Sequence, residues 1–485
     1  MQRRTKLINN IDWWTILLYL GLCIFGWVNI SGASYSYDHP SLIDFSTVAG
    51  KQLIWMGGAL LLGGIILLLD YKLYDTTAYF LYAAVLLLLF TTRFFPPIKG
   101  SYSWISIGSS FRLQPAEFAK LTTALAIAKY MGQYDFKVRS WRDLITPLMI
   151  IGIPALIIMV WENETGSALV FAAFMLVFYR QGMSGYVLLC GIAAVALFIL
   201  AVKYSAAPIP IGTGTVGTLS CMLLLLGTGL FFLLRENHNR TEKWIVIGVV
   251  AGLYGICLLL NIWLPVNFNW VSTAIVVLLG IYFIIANLYK RTPVLVTVGM
   301  FMLLSVAYSN GCNYIFRSVL RDHQRSRIEL ILGMRDDPHG VGYNVNQARI
   351  AITTGRFWGK GWHQGTQTQM KFVPEQATDF IFSTVGEEWG FVGTAGVLIA
   401  YLIFILRLIH IAERQKDNFA RIYGYSVASI FLLHLTINIG MVLGVLPVIG
   451  IPLPFFSYGG RSLWGFTMLL FILLRLDAAG AEQMR

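Results

Sequence analysis

Apolar runs of membrane-spanning length recur from one end of this chain to the other, and they constrain its fold more than any other feature. A helix needs about 20 apolar residues to cross the hydrocarbon layer. The candidates are Trp14–Ser31, Leu53–Leu69, Thr77–Phe90, Pro115–Met131, Leu144–Trp161, Gly166–Tyr179, Gly185–Val202, Val216–Leu234, Trp244–Leu264, Trp270–Leu288, Pro293–Ser309, Phe391–His410, Ile422–Leu443 and Ser462–Leu476. The expected fold is therefore an all-α polytopic membrane protein, a single integral domain over residues 1–485 with about fourteen transmembrane helices. Hydrophobic residues make up 57% of the chain and charged residues 12%, where a soluble domain carries roughly a quarter charged.

The net charge of +12 does not indicate nucleic acid. The basic residues are spread over short loops between the apolar runs, which suits anionic lipid headgroups. The loops also alternate. One set holds Arg3, Arg4 and Lys6, then Lys72, Lys137, Arg139, Arg142, Arg180, Arg235, Arg240, Lys243, Lys290, Arg291, Arg414, Lys416 and Arg421; the other set is poor in Lys and Arg. The positive-inside rule then places both termini in the cytoplasm and the loop 310–390 outside. The N-terminal MQRRTK and following apolar run read as a start-transfer helix that is retained, since no small-residue cleavage site follows. Cys23, Cys190, Cys221, Cys257 and Cys312 lie in or beside apolar runs and read as core residues, not a disulfide framework.

Between the spans, the stretch from Gly340 to Gly393 is long, polar and rich in aromatics, including Tyr343, Phe357, Trp358, Trp362 and Phe372. Disordered loops lack aromatics, so a large folded extracytoplasmic loop is expected, bringing Lys360, Glu375 and Asp379 to the mouth of the protein. The Pro- and Gly-rich GVLPVIGIPLPFFSYGG from Gly444 is too interrupted for a span, and such backbone is tolerated at membrane depth only where it lines a cavity or is buried in protein.

Charged residues in this setting need an explanation. Glu117 and Lys120 are three apart at the start of an apolar helix, on one face, where they can pair. A neutralised structural pair and a phosphate-binding ammonium are both open readings. Glu162 and Glu164 precede a Gly-Ser helix start and read as capping acids. Gln324, Arg325 and Arg327 fit either an interfacial amphipathic segment or a cationic clamp for a pyrophosphate or carboxylate. His410 and His434 are isolated and read as satisfied core histidines. Asp379 immediately precedes Phe380-Ile381-Phe382. A carboxylate pressed against apolar groups is a stronger base, because desolvation penalises its charge; the plainer reading is an N-cap for a helix starting at Phe380. No HExxH, CxxC, GxSxG or P-loop pattern is present, so ATP-driven transport and the familiar hydrolase chemistries lose support.

Four motifs, LQPAEFAKL from Leu113, GKGWHQGTQTQ from Gly359, FVPEQATDFIFSTVGEEWGFVG from Phe372 and NIGMVLGVLPVIGIPLPFFSYGGRS from Asn438, resemble those of the SEDS membrane glycosyltransferases, the elongation member more than the division paralogue. The resemblance implies a peptidoglycan glycosyltransferase that polymerises lipid II, an undecaprenyl-pyrophosphate-linked disaccharide peptide. It would act at the outer face of the bacterial cytoplasmic membrane during cell elongation and shape maintenance, beside a class B penicillin-binding protein and the elongation machinery. It makes Asp379 the catalytic carboxylate and Glu375 the motif acid before it. Glu117 and Lys120 fall near the lipid-linked donor, Lys360 and Gln364 in the loop motif, and Gln324 and Arg325 in the Gln-Arg before it. Ser457, Tyr458 and Gly459 form the SYGG turn. Three departures stand out: Ser103 where the family has an Arg before the Trp, Glu164 where it has an Asp, and about four helices more than a core of about ten, placed as an insert over 186–292.

The implied chemistry is an inverting attack by an acceptor sugar hydroxyl, with Asp379 as base and positive charge from Lys120 and Arg325 at the departing diphosphate. A divalent cation, Mg or Mn, with Asp379 as a ligand could do that work instead. No nucleotide cofactor is implied. The rival classes are a lipid II flippase or other carrier, and a non-catalytic scaffold for the penicillin-binding protein. A carrier should hold its key charges at mid-membrane in paired broken helices, whereas here the densest motifs share one loop region.

Overall fold

The computed structural model describes residues 10–35, 44–98, 100–107, 111–133, 136, 141–237, 239–290, 293–320, 325, 328–329, 332, 334, 341–446 and 448–483. The chain divides into two compact units, Met1–Ser184 with Pro338–Arg485, and Gly185–Asp337. Among the described residues, twelve helices are long and apolar enough to cross a membrane by length and composition. They match twelve of the expected spans. The other two are shorter: Pro115–Met131 has 17 residues, and Thr165–Arg180 is interrupted by a 3-10 turn over Val170–Ala173.

In the first unit, α1 (Trp13–Ala33), α2 (Val48–Leu68) and α3 (Tyr71–Thr91) each begin where sequence chemistry says they should. Asp12, Thr47 and Asp70 accept from the backbone N–H of Thr15, Gly50 and Lys72 respectively, satisfying donors that a helix start leaves open. A two-stranded antiparallel hairpin, β1 (Ile105–Ile107) and β2 (Phe111–Leu113), follows. It delivers the chain into α4 (Pro115–Met131), whose Pro at the first helical position has no N–H to leave unpaired.

Helix α4 is the centre of this unit. It packs against α3, against α5 (Trp141–Leu156) and against two later helices, α16 (Asn418–Val442) and α17 (Gly460–Gln483). Ala116, Ala119, Ala124, Ala126 and Ala128 are each at most 1% exposed. Small residues let neighbouring backbones approach closely where apolar burial alone does not drive association. The outer helices instead expose large apolar side chains such as Leu61 and Phe80, as lipid-facing surfaces do. At one end of the bundle, Asp12 takes hydrogen bonds from Arg407 and Arg414, and Arg414 also binds Asp477. This network ties α1 to the ends of α15 (Ile381–Glu413) and α17.

The second unit holds α8 (Gly185–Lys203), α9 (Val216–Glu236), α10 (Arg240–Leu260), α11 (Phe268–Lys290) and α12 (Pro293–Tyr314) around a core that includes Met222, Leu225, Val276, Phe283 and Met302. It opens one residue before the expected insert and runs on past Thr292 to Asp337. All five cysteines are free; Cys23 and Cys221 are buried, and Cys190 is exposed.

The segment expected as one loop from Asn310 to Gly390 is partly helical. Helix α12 and a π-turn over Ile315–Val319 carry helix beyond Ser309. A further helix, α13 (Val341–Thr354), follows, and α15 starts at Ile381, ten residues before the expected span. Helix α13 is too polar for a span, but Ala348 and Ala351 are fully buried and it packs on α15. The missing signal was one-sided burial. Gly390, at φ 64° and ψ −157°, breaks α15 in a region essentially reserved for glycine. The expected span from Phe391 begins one residue past that break.

Candidate active site

A cavity of about 530 Å³ opens in the first unit, lined by α4, α16, the start of α17, the turn before α15, the Pro-rich segment and the segment around Trp104. Glu117, Lys120, Glu375 and Asp379, singled out from sequence, all line it.

Asp379 is set by its backbone. The Glu375 carbonyl accepts from the amides of Thr378, Asp379 and Phe380 at 3.2, 3.0 and 3.4 Å, with Glu375 itself at a left-handed φ of 51°. Asn438 Nδ2 donates to the Asp379 carbonyl at 2.9 Å and to the Ile451 carbonyl at 2.7 Å, and the Tyr458 amide donates to Ala377. The turn carrying Asp379 is thus pinned to the Pro-rich segment, whose Gly450 (φ +74°) places its backbone so that an added Cβ would sit 3.4 Å from Asp379 Oδ2. The capping reading fails: α15 has Phe380 as its N-cap residue and no side chain caps it. The carboxylate is delivered to the cavity instead.

Glu117 and Lys120 do pair, at 2.8 Å and nearly fully buried. Lys120 Nζ also lies 3.1 Å from His434 Nε2, and His434 Nδ1 lies 3.2 Å from the Pro452 carbonyl. The carbonyl can only accept, so Nδ1 carries the proton and Nε2 receives the ammonium's. His434, read from sequence as an ordinary core histidine, is therefore a cavity residue that fixes Lys120. Its signal was invisible because its partner is 314 residues away.

Glu164 corrects a second expectation. It occupies the N-cap position of a short helix, α6 (Thr165–Leu169), without capping it. Its carboxylate accepts from Gln114 Nε2 at 3.0 Å and Ser167 Oγ at 2.7 Å and lines the cavity. Neighbouring Glu162 is fully buried; burial, reinforced by the nearby charge of Glu164, pushes its carboxyl up to about 8.

Other expected residues lie elsewhere. Lys360 binds Glu387 and Thr366, each at 2.8 Å, and does not line the cavity. Gln364 is exposed on the same loop. Ser457 is buried, its Oγ accepting from the Leu453 amide at 2.9 Å, so it fastens the Pro-rich turn while Tyr458 and Gly459 reach the cavity. Arg325 lies in the second unit, paired with Glu329 at 3.0 Å; Gln324 and Arg327 fall outside the described residues. Ser103 is buried and bonded to Ser101.

A multi-helix membrane protein with a polar cavity of four carboxylates, a buried lysine and an arginine is the class these observations define. The particular family follows from comparison: the "Cell cycle protein" family model covering FtsW, RodA and SpoVE matches residues 13–209 and 231–481, and the chain belongs to that family. The unmatched stretch 210–230 is shorter than the expected insert over 186–292. Peptidoglycan glycosyltransferase RodA of Treponema pallidum (strain Nichols) is 29% identical over 479 residues, 98% of this chain and 99% of that protein. Peptidoglycan glycosyltransferase MrdB of Escherichia coli (strain K12) is 44% identical over 145 residues, 30% of this chain and 39% of that protein. Among solved structures, one described as "Structural coordination of polymerization and crosslinking by a peptidoglycan synthase complex" aligns over 97% of this chain and 98% of that chain with a TM-score of 0.60 at 22% identity. A mutant of the Thermus thermophilus rod shape determining protein RodA aligns over the same shares at 0.52 and 19%. At these identities the structures establish the shared fold.

Proposed function

We propose that this protein is the elongation-type peptidoglycan glycosyltransferase of its cell, polymerising lipid II at the outer face of the cytoplasmic membrane. The single observation that carries the reading is the convergence of Asp379, Glu375, Glu117 and Lys120, from separate motifs, on one cavity, in a chain whose full-length relative bears the name peptidoglycan glycosyltransferase. Asp379 accepts the proton of the acceptor sugar hydroxyl as oxygen attacks the anomeric carbon of the donor. The lipid diphosphate leaves from the opposite face, with inversion. Positive charge is required where the diphosphate departs, and Lys120 supplies it in the cavity.

Among the described residues no group of three His, Cys, Asp or Glu side chains could hold a metal ion. A divalent cation such as Mg or Mn would thus draw on one or two carboxylates, Asp379 among them, together with substrate phosphate and water, and would supply electrostatic stabilisation of the leaving group. We assign the protein to the cytoplasmic membrane with both termini inside, and a class B penicillin-binding protein as its crosslinking partner. The test is glycan-strand formation from purified lipid II by wild type and by Asp379→Asn at matched protein level. Strands from both proteins in equal amount would remove Asp379 from the chemistry.

A further inference from the structure

The charges lining the cavity are unevenly matched. Glu117, Glu164, Glu375 and Asp379 contribute carboxylates, and the cations among the described lining residues are Lys120 and Arg461. A departing diphosphate must find positive charge in a site where acids outnumber bases. Lys120 donates to Glu117 and to His434, and its ammonium lies 5.1 Å from the Phe466 ring centroid. It is 1% exposed.

Arg461 is the other lining cation. It sits in the first turn of α17, beside the SYGG turn, and is partly exposed. Its Cζ lies 3.8 Å from the centroid of the Trp104 ring, a cation–π stack that holds the guanidinium against the cavity wall. Stacking uses the flat face of the group. The N–H donors lie in its plane, around the edge, in the fork geometry that matches two phosphate oxygens at once. Ser103, next to Trp104, is buried and uncharged, so the charge on this wall comes from Arg461. Trp104 and Arg461 come from opposite ends of the chain, and their contact exists only in the folded protein.

We propose that Arg461, oriented by Trp104, is a substrate-binding residue that grips the diphosphate of the lipid-linked donor and of the lipid product. The proposal rests on the glycosyltransferase reading for the identity of that lipid. Its core, a diphosphate site built on Arg461 and Trp104, is read by binding alone and needs no turnover.

The experiment measures binding of undecaprenyl pyrophosphate and of undecaprenyl monophosphate to the full chain in detergent micelles. Wild type should prefer the diphosphate lipid. Arg461→Gln should weaken diphosphate binding at least about tenfold, the scale of a lost charged hydrogen bond, and should erase the preference over the monophosphate. Arg461→Lys keeps a point charge but not the fork and should fall between the two. Trp104→Phe keeps a ring face and should stay near wild type. Millimolar guanidinium should partly restore binding to Arg461→Ala, a rescue that a purely structural role would not produce. Undiminished diphosphate binding by an Arg461→Gln protein of wild-type Tm overturns the proposal, as does a wild type with no preference for diphosphate. A wild type that binds diphosphate through Arg461 yet makes no glycan would leave this site standing and remove the polymerase reading.

Discussion

Asp379 is the residue on which the proposed chemistry turns, and the structure removes a capping role from it. Because α15 starts at Ile381 without a side-chain cap, Asp379→Asn should leave Tm unchanged. Loss of a general base should still lower turnover about a hundredfold to ten-thousandfold, measured as strand formation at matched expression. The buried pair gives a second test. If Glu117 and Lys120 only neutralise each other, replacing both by Gln and Met should be close to neutral, since a buried ion pair is often no better than apolar packing. With Lys120 serving the diphosphate, Lys120→Met loses lipid II turnover and the double variant does not recover it; recovery would reduce Lys120 to structure. Glu162 supplies a pH dependence. Its folded carboxyl keeps a proton up to about 8, against an ordinary value of 4.5. Between those values the folded state holds the extra proton, so this group makes stability fall as pH rises through the window. Glu162→Gln removes that effect, and its Tm gain over wild type should be larger at about pH 9 than at about pH 5. An equal gain at both would show that Glu162 is ionised throughout.

At the scale of elements, the loop over 356–369 is held by a broken helix. Gly390 gives α15 its break, and a Cβ there would lie 2.3 Å from the Gly359 amide nitrogen. The amides of Lys360 and Gly361 donate to the carbonyls of Glu387 and Glu388, both at 3.0 Å, and the Phe391 amide returns to Arg356 at 2.9 Å. The fully buried Glu387 carboxylate gathers Lys360, Thr366, the Gln367 amide, and both the amide and hydroxyl of Thr368. Glu387→Gln would set an amide donor against those donors and should cost about 2 kcal/mol. Hydrogen exchange at Gln367 and Thr368 should accelerate in that variant. Unchanged protection there would contradict the clamp. The motif residue Lys360 belongs to this support and does not line the cavity, while Gln364 is exposed on the same loop. Sequence could place them on the loop but not say which way they face.

Over the whole molecule, what could be read from sequence follows from the range of the physics. Apolar runs are local, so every expected span lies on a helix, and Glu117 and Lys120 pair as their spacing allowed. The break at Gly390, the amphipathic α13 and the interruption at Val170–Ala173 were not legible, because each depends on what packs against the segment. The cavity was half legible. Asp379 and Lys120 stood out as charges in apolar surroundings, but Glu164, His434 and Arg461 gain their meaning from partners on distant segments. The second unit, Gly185–Asp337, is a packed helical body with its own core.

The central claim is that the cavity around Asp379 makes glycan strands. The most direct measurement is reconstitution of the purified chain in liposomes with lipid II as the only substrate, following polymer and transbilayer movement of the lipid in the same vesicles. The account predicts polymer from wild type and none from Asp379→Asn. Transbilayer movement without polymer would make the protein a carrier, and neither signal from a correctly folded protein would make it a scaffold; either result contradicts the account.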